Sequence, residues 1–479
     1  MNYKAVLKSV AKVLVLEGVL LLLPFIVSII YGENAKWAFL ITASLCVAAG
    51  LPFALTIKPS SQPMYSREGF VIVALGWMAA SLFGALPFVI SGEVPSYIDA
   101  LFETVSGFTT TGASVIKDVE VLPKGILFWR SFSHWMGGMG LIVFIVAISK
   151  SGDRSIHVLR AEMPGPTVDK IAPRSKDTAK ILYLIYVAMT ALEVIMLLFG
   201  KMNFFEALLH SFGTAGTGGF GIKNDSLASY NAYTQWVVAI FMILFSINFN
   251  CYYLIIVGKI KNAFKNAEFL TFLGIVFVAA AAITANVYSV YENVAESLRI
   301  SVFEVAATVS TTGYSVADYN YFPTLSKSIL FVLMFIGGSA GSTAGGLKVS
   351  RLVILIKRFR RDIKQALRPK SVEVVKMDKA LDETTVNGVT SYFGLYMVII
   401  LVAFVFISIF DNFGVETNLS AVVSLFNNVG PGLGAVGPAG NYAGYSAVSK
   451  LALTFTMLLG RLEIYPLIIA LSPSTWLKK

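Results

Sequence analysis

Cysteine, histidine and charge are all scarce in this chain of 479 residues. The two cysteines, Cys46 and Cys251, both sit in apolar segments, so neither a disulfide framework nor a thiolate metal site is supported. The three histidines, His134, His157 and His210, are too far apart along the chain to suggest a zinc cluster. The clustered His, Asp or Cys of a membrane enzyme is missing. Charged residues make up 14% of the chain, against about 25% in soluble domains. Ten-residue strands of alternating polarity are also absent, which disfavours a β-barrel. A net charge of +10 would suit a nucleic-acid partner, but the basic residues collect in loops between apolar runs, so none is expected.

What the chain has instead is apolar length: 56% of its residues are apolar, and many runs are long enough to span a bilayer as helices. Ten spans are predicted, at about 10–31, 37–57, 69–91, 126–148, 180–200, 234–257, 269–290, 327–356, 391–410 and 449–472. No small-residue cleavage site follows the first, which reads as an uncleaved span. The first two spans form an N-terminal hairpin. The other eight form four pairs, each bracketing a short amphipathic segment and a Thr/Gly-rich loop. The expected organisation is a hairpin over 1–60 and repeats over 61–150, 151–265, 266–380 and 381–479. The short segments, at 97–108, 204–215, 298–309 and 418–429, would reach about 18 Å as helices, too little to cross a ~30 Å core. They read as re-entrant half-helices.

Loop charge orients the chain. Segment 150–180 carries Lys150, Arg154, Arg160, Lys170, Arg174, Lys176 and Lys180, and segment 357–379 carries nine basic residues from Lys357 to Lys379. Lys58 and Arg67 mark a third basic loop, and Lys259, Lys261 and Lys265 a fourth. All four fall on one side of a ten-span chain, which the positive-inside rule makes cytoplasmic, together with both termini. The Thr/Gly loops then face outward. Segment 357–379 reads as a solvated basic loop, a docking surface for a cytoplasmic partner, or both.

Glycine and small hydroxyl residues let a backbone turn its carbonyls inward, and four such loops around an axis would make a ring of oxygens for a dehydrated cation. Each follows the C-terminal, partly negative end of a half-helix, which favours a cation. Aligned without gaps, the loops place Gly112, Gly219 and Gly313 at one position, preceded by Thr110-Thr111, Thr217-Gly218 and Thr311-Thr312. The fourth loop departs: Leu433 falls opposite the glycines, behind Pro431-Gly432, and a local shift would bring Gly432 or Gly434 there. Ordinary turns would explain one such loop but not four at equivalent places. The G-x-G-x-x-G matches at Gly216 and Gly432 follow no strand, so no dinucleotide site is assigned.

The order of spans and the loops TTTGAS, GTGGFG, STTGYS and GPGLGA resemble the Trk/Ktr/HKT superfamily of potassium transporters over nearly the whole chain. The N-terminal hairpin and the GPGLG loop are most similar to its bacterial TrkH branch. The resemblance implies an all-α integral membrane fold, with four M1–P–M2 repeats in pseudo-fourfold arrangement around one pore. It also implies a homodimer in the bacterial cytoplasmic membrane, potassium (K+) as the transported ion, and a cytoplasmic TrkA-like regulatory subunit responsive to NAD or ATP. The chain itself has no loop long enough to hold such a domain. Glycine at the first three filter positions is similar to the potassium-preferring members.

The second span of repeat three is interrupted by ten small residues, Gly337 to Gly346, which cannot hold a stable helix by propensity. Non-helical backbone at membrane depth must line a cavity. A packing face would need small residues only at every fourth position. A mobile intramembrane loop below the filter is therefore expected, with Gly337, Gly338, Gly341, Gly345, Gly346 and Lys348 as its residues. In the resembling family this loop gates the pore, and an arginine matching Arg461 stands beside it. Arg461 lies mid-span, where a charge costs about 2.5–3.5 kcal/mol and must face a partner or water; it could repel the ion or hydrogen-bond the loop closed. Glu103 and Glu304 occupy equivalent places on two half-helices and would attract cations or brace the loops. Arg130 and His134 read as packing and interface residues rather than ligands. The expected function is potassium uptake down the membrane potential. A sodium- or proton-coupled symporter is the alternative, although Glu17 and Glu193 are too isolated to form a proton relay.

Overall fold

The computed structural model describes residues 1–57, 65–140, 175–369 and 373–476. Lys58, most of the basic 150–180 segment (Lys150, Arg154, Arg160, Lys170 and Arg174), His157 and Lys370 lie outside them. Helices α1 (Tyr3–Leu20) and α2 (Leu22–Ile30) make one continuous span, and α3 (Lys36–Thr56) returns beside it. The pair crosses closely because it meets at glycines. A β-carbon on Gly50 would lie 2.6 Å from the Ala11 carbonyl, and one on Gly18 would lie 3.0 Å from that of Ala43.

Four units of the same plan follow. The first contains α4 (Ser66–Gly84), α5 (Leu86–Ser91), the half-helix α6 (Tyr97–Phe108) and α7 (Lys124–Gly138). The second contains α8 (Ser175–Phe199), the half-helix α9 (Phe204–Gly216), α10 (Ala232–Phe245), α11 (Phe249–Ile256) and the short α12 (Ile260–Phe264). The third contains α13 (Ala267–Tyr291), the half-helix α14 (Val294–Val309), α15 (Thr324–Ile336) and α16 (Val349–Leu367). The fourth contains α17 (Glu383–Phe410), the half-helix α18 (Val415–Phe426), α19 (Ala447–Arg461), α20 (Tyr465–Leu471) and α21 (Pro473–Trp476).

Each half-helix starts with an acidic residue in its first turn: Asp99, Glu206, Glu296 and Glu416. Ser96, Asn203 and Asn293 cap the first three. These groups satisfy the positive N-terminal ends and leave the negative C-terminal ends for the centre. The inner turns of all four are buried in protein, which short apolar helices require at membrane depth. The packing order is cyclic: α7 lies on α9, α10 on α14, α15 on α18, and α19 on α6. The second span of each unit therefore supports the half-helix of the next, and the fourth closes on the first. Outward faces stay apolar; on α17, Val398, Leu401, Val402, Val405 and Ile409 are exposed, as lipid contact demands.

Among the described residues, six helices are long and apolar enough to cross a membrane, and eight are if each bent pair counts as one span. Two spans expected to be straight are broken. The axes of α10 and α11 differ by 90°, and those of α19 and α20 by 119°. Asn248 caps the start of α11. At the second break Glu463 and Ile464 take φ values of +55° and +67°, and Pro466 lies in the first turn of the new helix. Arg461 is therefore not in the middle of a straight span but at the end of α19, where the chain turns.

Candidate functional site

The four half-helices end alike. Thr110, Thr217, Thr311 and Asn428 adopt left-handed backbone with φ of +55°, +54°, +57° and +57°. The next residue in each case donates its N–H five residues back: Thr111 to Ser106 O, Gly218 to Gly213 O, Thr312 to Ala307 O and Val429 to Ser424 O, at 2.8–2.9 Å. This Schellman geometry stops the helix and turns the following peptide across its end. One residue later Gly112, Gly219, Gly313 and Gly430 take φ of +78°, +75°, +75° and +101°.

These four glycines abut the carbonyls of the next unit. A β-carbon on Gly112 would collide with Gly218 O, one on Gly219 with Thr312 O, one on Gly313 with Val429 O, and one on Gly430 with Thr111 O. The contacts run from repeat one to two to three to four and back to one. The ring is closed, and glycine is required at each station by backbone angle and by space. All four glycines line one cavity.

The register of the fourth repeat is thus three residues earlier than the gapless alignment placed it. The half-helix ends at Phe426, not 429, and Asn428-Val429-Gly430 stands where Pro431-Gly432-Leu433 was expected. Asn tolerates left-handed backbone, so the turn forms at Asn428 without glycine. Pro431 packs against Gly313, and the Gly432 carbonyl accepts from Tyr319 OH at 2.9 Å. Leu433 is buried in an apolar cluster, and its N–H donates to Ser420 Oγ at 2.8 Å.

Buried polar groups hold the loops from behind. Arg130 Nη2 lies 2.7 Å from Glu103 Oε1, both side chains being almost wholly buried. Glu103 also accepts from Ser114 Oγ and from the Val115 N–H, each at 3.0 Å, while the Arg130 guanidinium stacks 4.1 Å from the Phe220 ring centre. Glu304 repeats the pattern, accepting from Ser315 Oγ at 3.0 Å and from the Val316 N–H at 2.9 Å. His134 Nε2 accepts from the Phe220 N–H at 3.2 Å, so its Nδ1 carries the proton and donates to Gly107 O at 2.8 Å. Glu103 and Glu304 brace their loops, and Arg130 and His134 stand at the junction of the first two loops.

The 337–346 segment lies on the other face of the ring. With Asn428, Lys348 and Arg461, Gly341, Gly345 and Gly346 line a second cavity there. Gly337, Gly341 and Gly346 take positive φ, as does Lys348 at +75°. The break between α10 and α11 receives the loop: Ser246 O accepts from the Ser339 N–H at 2.9 Å, Thr343 Oγ1 donates to Phe245 O at 3.1 Å, and the Phe249 N–H donates to Gly341 O at 3.0 Å. Gly338 sits against the same break, its space limited first by Ala344 Cβ within the loop and then by Ser246 O. Glu268 Oε1 holds both ends, accepting from the Ala340 N–H at 2.6 Å and from the Ser350 N–H at 3.0 Å. Lys348 Nζ donates to Ala344 O. Arg461 Nη1 donates to Thr343 O at 3.0 Å, and Nη2 donates to Gly138 O at 2.8 Å and to Gly137 O. Arg461 therefore ties the loop to the end of α7.

Glu268 was not singled out from the sequence, although an acid at the start of a membrane helix is a visible signal. Asn428 carried no glycine or threonine signature.

A model of the TrkH family, described as cation transport protein, matches residues 35–478. The Trk system potassium uptake protein TrkH of Escherichia coli strain K12 is 34% identical over 487 aligned residues, covering 99% of this chain and 100% of the relative. The protein of the same name from Halomonas elongata is 31% identical, with all of both chains covered. The crystal structure of the potassium transporter TrkH from Vibrio parahaemolyticus is similar with a TM-score of 0.90 at 30% identity, covering 99% of this chain and 100% of that one. With this helical, multi-pass pore architecture and relatives named as transport proteins rather than enzymes, the chain belongs to the TrkH family of cation transport proteins.

Proposed function

We propose that the chain takes up potassium across the bacterial cytoplasmic membrane through the ring of loop carbonyls. The closed cycle of glycine-to-carbonyl contacts carries this reading, since it gathers backbone oxygens of all four loops at the ends of four half-helices. Thr110, Thr111 and Gly112, Thr217, Gly218 and Gly219, Thr311, Thr312 and Gly313, and Asn428, Val429 and Gly430 form the filter. Each half-helix contributes about half a negative charge towards it. Inward movement of each cation gains about 2.3 kcal/mol per 100 mV of membrane potential.

The 337–346 loop closes the path below the filter. Arg461 holds it there and adds a positive charge under the ring. Both termini are cytoplasmic, consistent with the exposed Lys259, Lys261 and Lys265 near α12. The chain works as a homodimer, and a nucleotide-responsive (NAD or ATP) TrkA-like subunit controls the gate. In support, the relatives are named as members of a Trk system, and Arg360, Lys364 and Arg368 in and just after α16 are exposed for such a partner.

The test is electrical. The purified chain in liposomes should pass rubidium and give currents that reverse at the potassium equilibrium potential whatever the sodium and proton gradients. A reversal potential that follows either gradient would assign coupled transport instead. Absence of rubidium flux would overturn the reading.

A further inference from the structure

The loop beneath the ring touches the filter itself. The N–H of Gly345 donates to Thr311 Oγ1 at 2.6 Å. Gly345 is wedged there: a β-carbon on it would meet Asn427 O, with Asn428 Cβ at 3.2 Å and Thr311 Oγ1 at 3.3 Å. Thr311 is fully buried, and its backbone is set by the Schellman turn rather than by the loop. The loop therefore does not set the backbone position from which its hydroxyl projects.

The equivalent hydroxyls are used differently. Thr217 Oγ1 donates to Gly216 O within its own turn. Thr110 Oγ1 is buried and has no hydrogen-bond partner among the described residues. Buried hydroxyls are normally satisfied, so an unpartnered one at the end of a pore half-helix calls for water or a cation. Thr311 differs in that a backbone N–H of the loop sits on its oxygen. A hydroxyl oxygen has two lone pairs, so the N–H alone would not exclude an ion. The Gly345 backbone does so by space: wedged between Thr311 Oγ1, Asn427 O and Asn428 Cβ, it fills the inner side of this oxygen, where a departing ion would have to stand.

We propose that Thr311 Oγ1 alternates between gate and ion: it accepts the Gly345 N–H while the loop closes the path, and it coordinates a potassium ion leaving the filter once the loop withdraws. Resting on the pore and gate reading above, this makes the transported ion a ligand that opens its own gate. A ligand that binds one of two states shifts the population towards that state. Potassium in the inner end of the filter therefore competes with closure, and the open fraction rises with potassium.

The experiment is single-channel recording of the full chain in planar bilayers, with potassium varied against N-methylglucamine at constant ionic strength. In the unmodified chain the open fraction should rise with potassium. Thr311→Val keeps the shape and removes the acceptor; at low potassium it should be open about two- to tenfold more often, the range set by one neutral hydrogen bond, and should lose the potassium dependence. Thr311→Ser keeps the acceptor and should restore it. An open fraction independent of potassium in the unmodified chain overturns the proposal, and needs no variant to fold. So does a Thr311→Val chain with unaltered potassium dependence. A chain lacking residues 339–344 separates the two levels. If that deletion raises the open fraction while the other measurements stay flat, only the role of Thr311 falls; if it changes nothing, the gate reading falls with it.

Discussion

Gly430 faces Thr111 across the seam between the last repeat and the first, and a β-carbon on Gly430 would lie 2.5 Å from the Thr111 carbonyl oxygen. That contact closes the ring. It also makes Gly430 the geometric counterpart of Gly112, Gly219 and Gly313, and so the fourth glycine of the proposed filter. Gly430→Ala adds a methyl group both to a carbonyl contact and to a residue with φ of +101°. We expect it to abolish rubidium uptake in an inserted protein. Leu433→Ala removes packing only, at a cost of about 2–5 kcal/mol, and should lower thermal stability while leaving ion discrimination unchanged. If an inserted Gly430→Ala protein keeps normal rubidium uptake, or if Leu433→Ala alters discrimination, Gly430 is not the fourth filter glycine.

Gly313 sits between the Val429 carbonyl and the Pro431 ring. A serine there must move one or both and disturb the carbonyl spacing. Gly313→Ser should reduce discrimination of potassium over sodium, read as stronger sodium competition against rubidium uptake. Unchanged competition would remove Gly313 from the filter.

Glu268 joins the start of the intramembrane loop to the first turn of α16. Hydrogen bonds to a charged acceptor contribute about 1.5–3 kcal/mol each. Glu268→Ala should loosen the loop and raise basal rubidium efflux from liposomes. Deleting residues 339–344 should raise it further. Equal or lower efflux in both folded variants would count against a gate at this position.

Arg130 and Glu103 form a buried pair behind the first loop. Removing one partner leaves an uncompensated charge, at about 3–5 kcal/mol. Arg130→Met alone should lower the melting temperature in detergent and reduce transport. Adding Glu103→Gln should recover part of the loss, so that the double variant is more stable than the sum of single effects predicts. Strict additivity would show that the pair does not act as a unit.

Much of the architecture was legible because its signals are local. Hydrophobic length marks a span, and a short apolar segment before Thr-Thr-Gly marks a half-helix that must be re-entrant. The run Gly337 to Gly346 announced a break because ten small residues have no helical preference. The register of repeat four was not legible. The gapless alignment offered Leu433, and a local shift Gly432 or Gly434, but not Gly430, because Asn428 performs the turn that threonine performs elsewhere. The kinks after Phe245 and Arg461 lay inside predicted spans, where Ser246, Asn248 and Asn250, and then Glu463 and Pro466, were the local signs of a break that hydropathy averaged over.

The helical spans, the four half-helices each followed by a loop, and the glycines of the first three loops therefore follow from residue spacing and hydropathy, which act over a few turns of chain; six described helices, or eight with the bent pairs, are long and apolar enough to cross, against ten spans predicted. Closure of the ring, the place of Gly430, and the grip of Glu268, Arg461 and Thr311 on the intramembrane loop depend on which carbonyl meets which N–H across long stretches of chain. Only packing the second span of each unit against the half-helix of the next brings those groups within hydrogen-bonding distance.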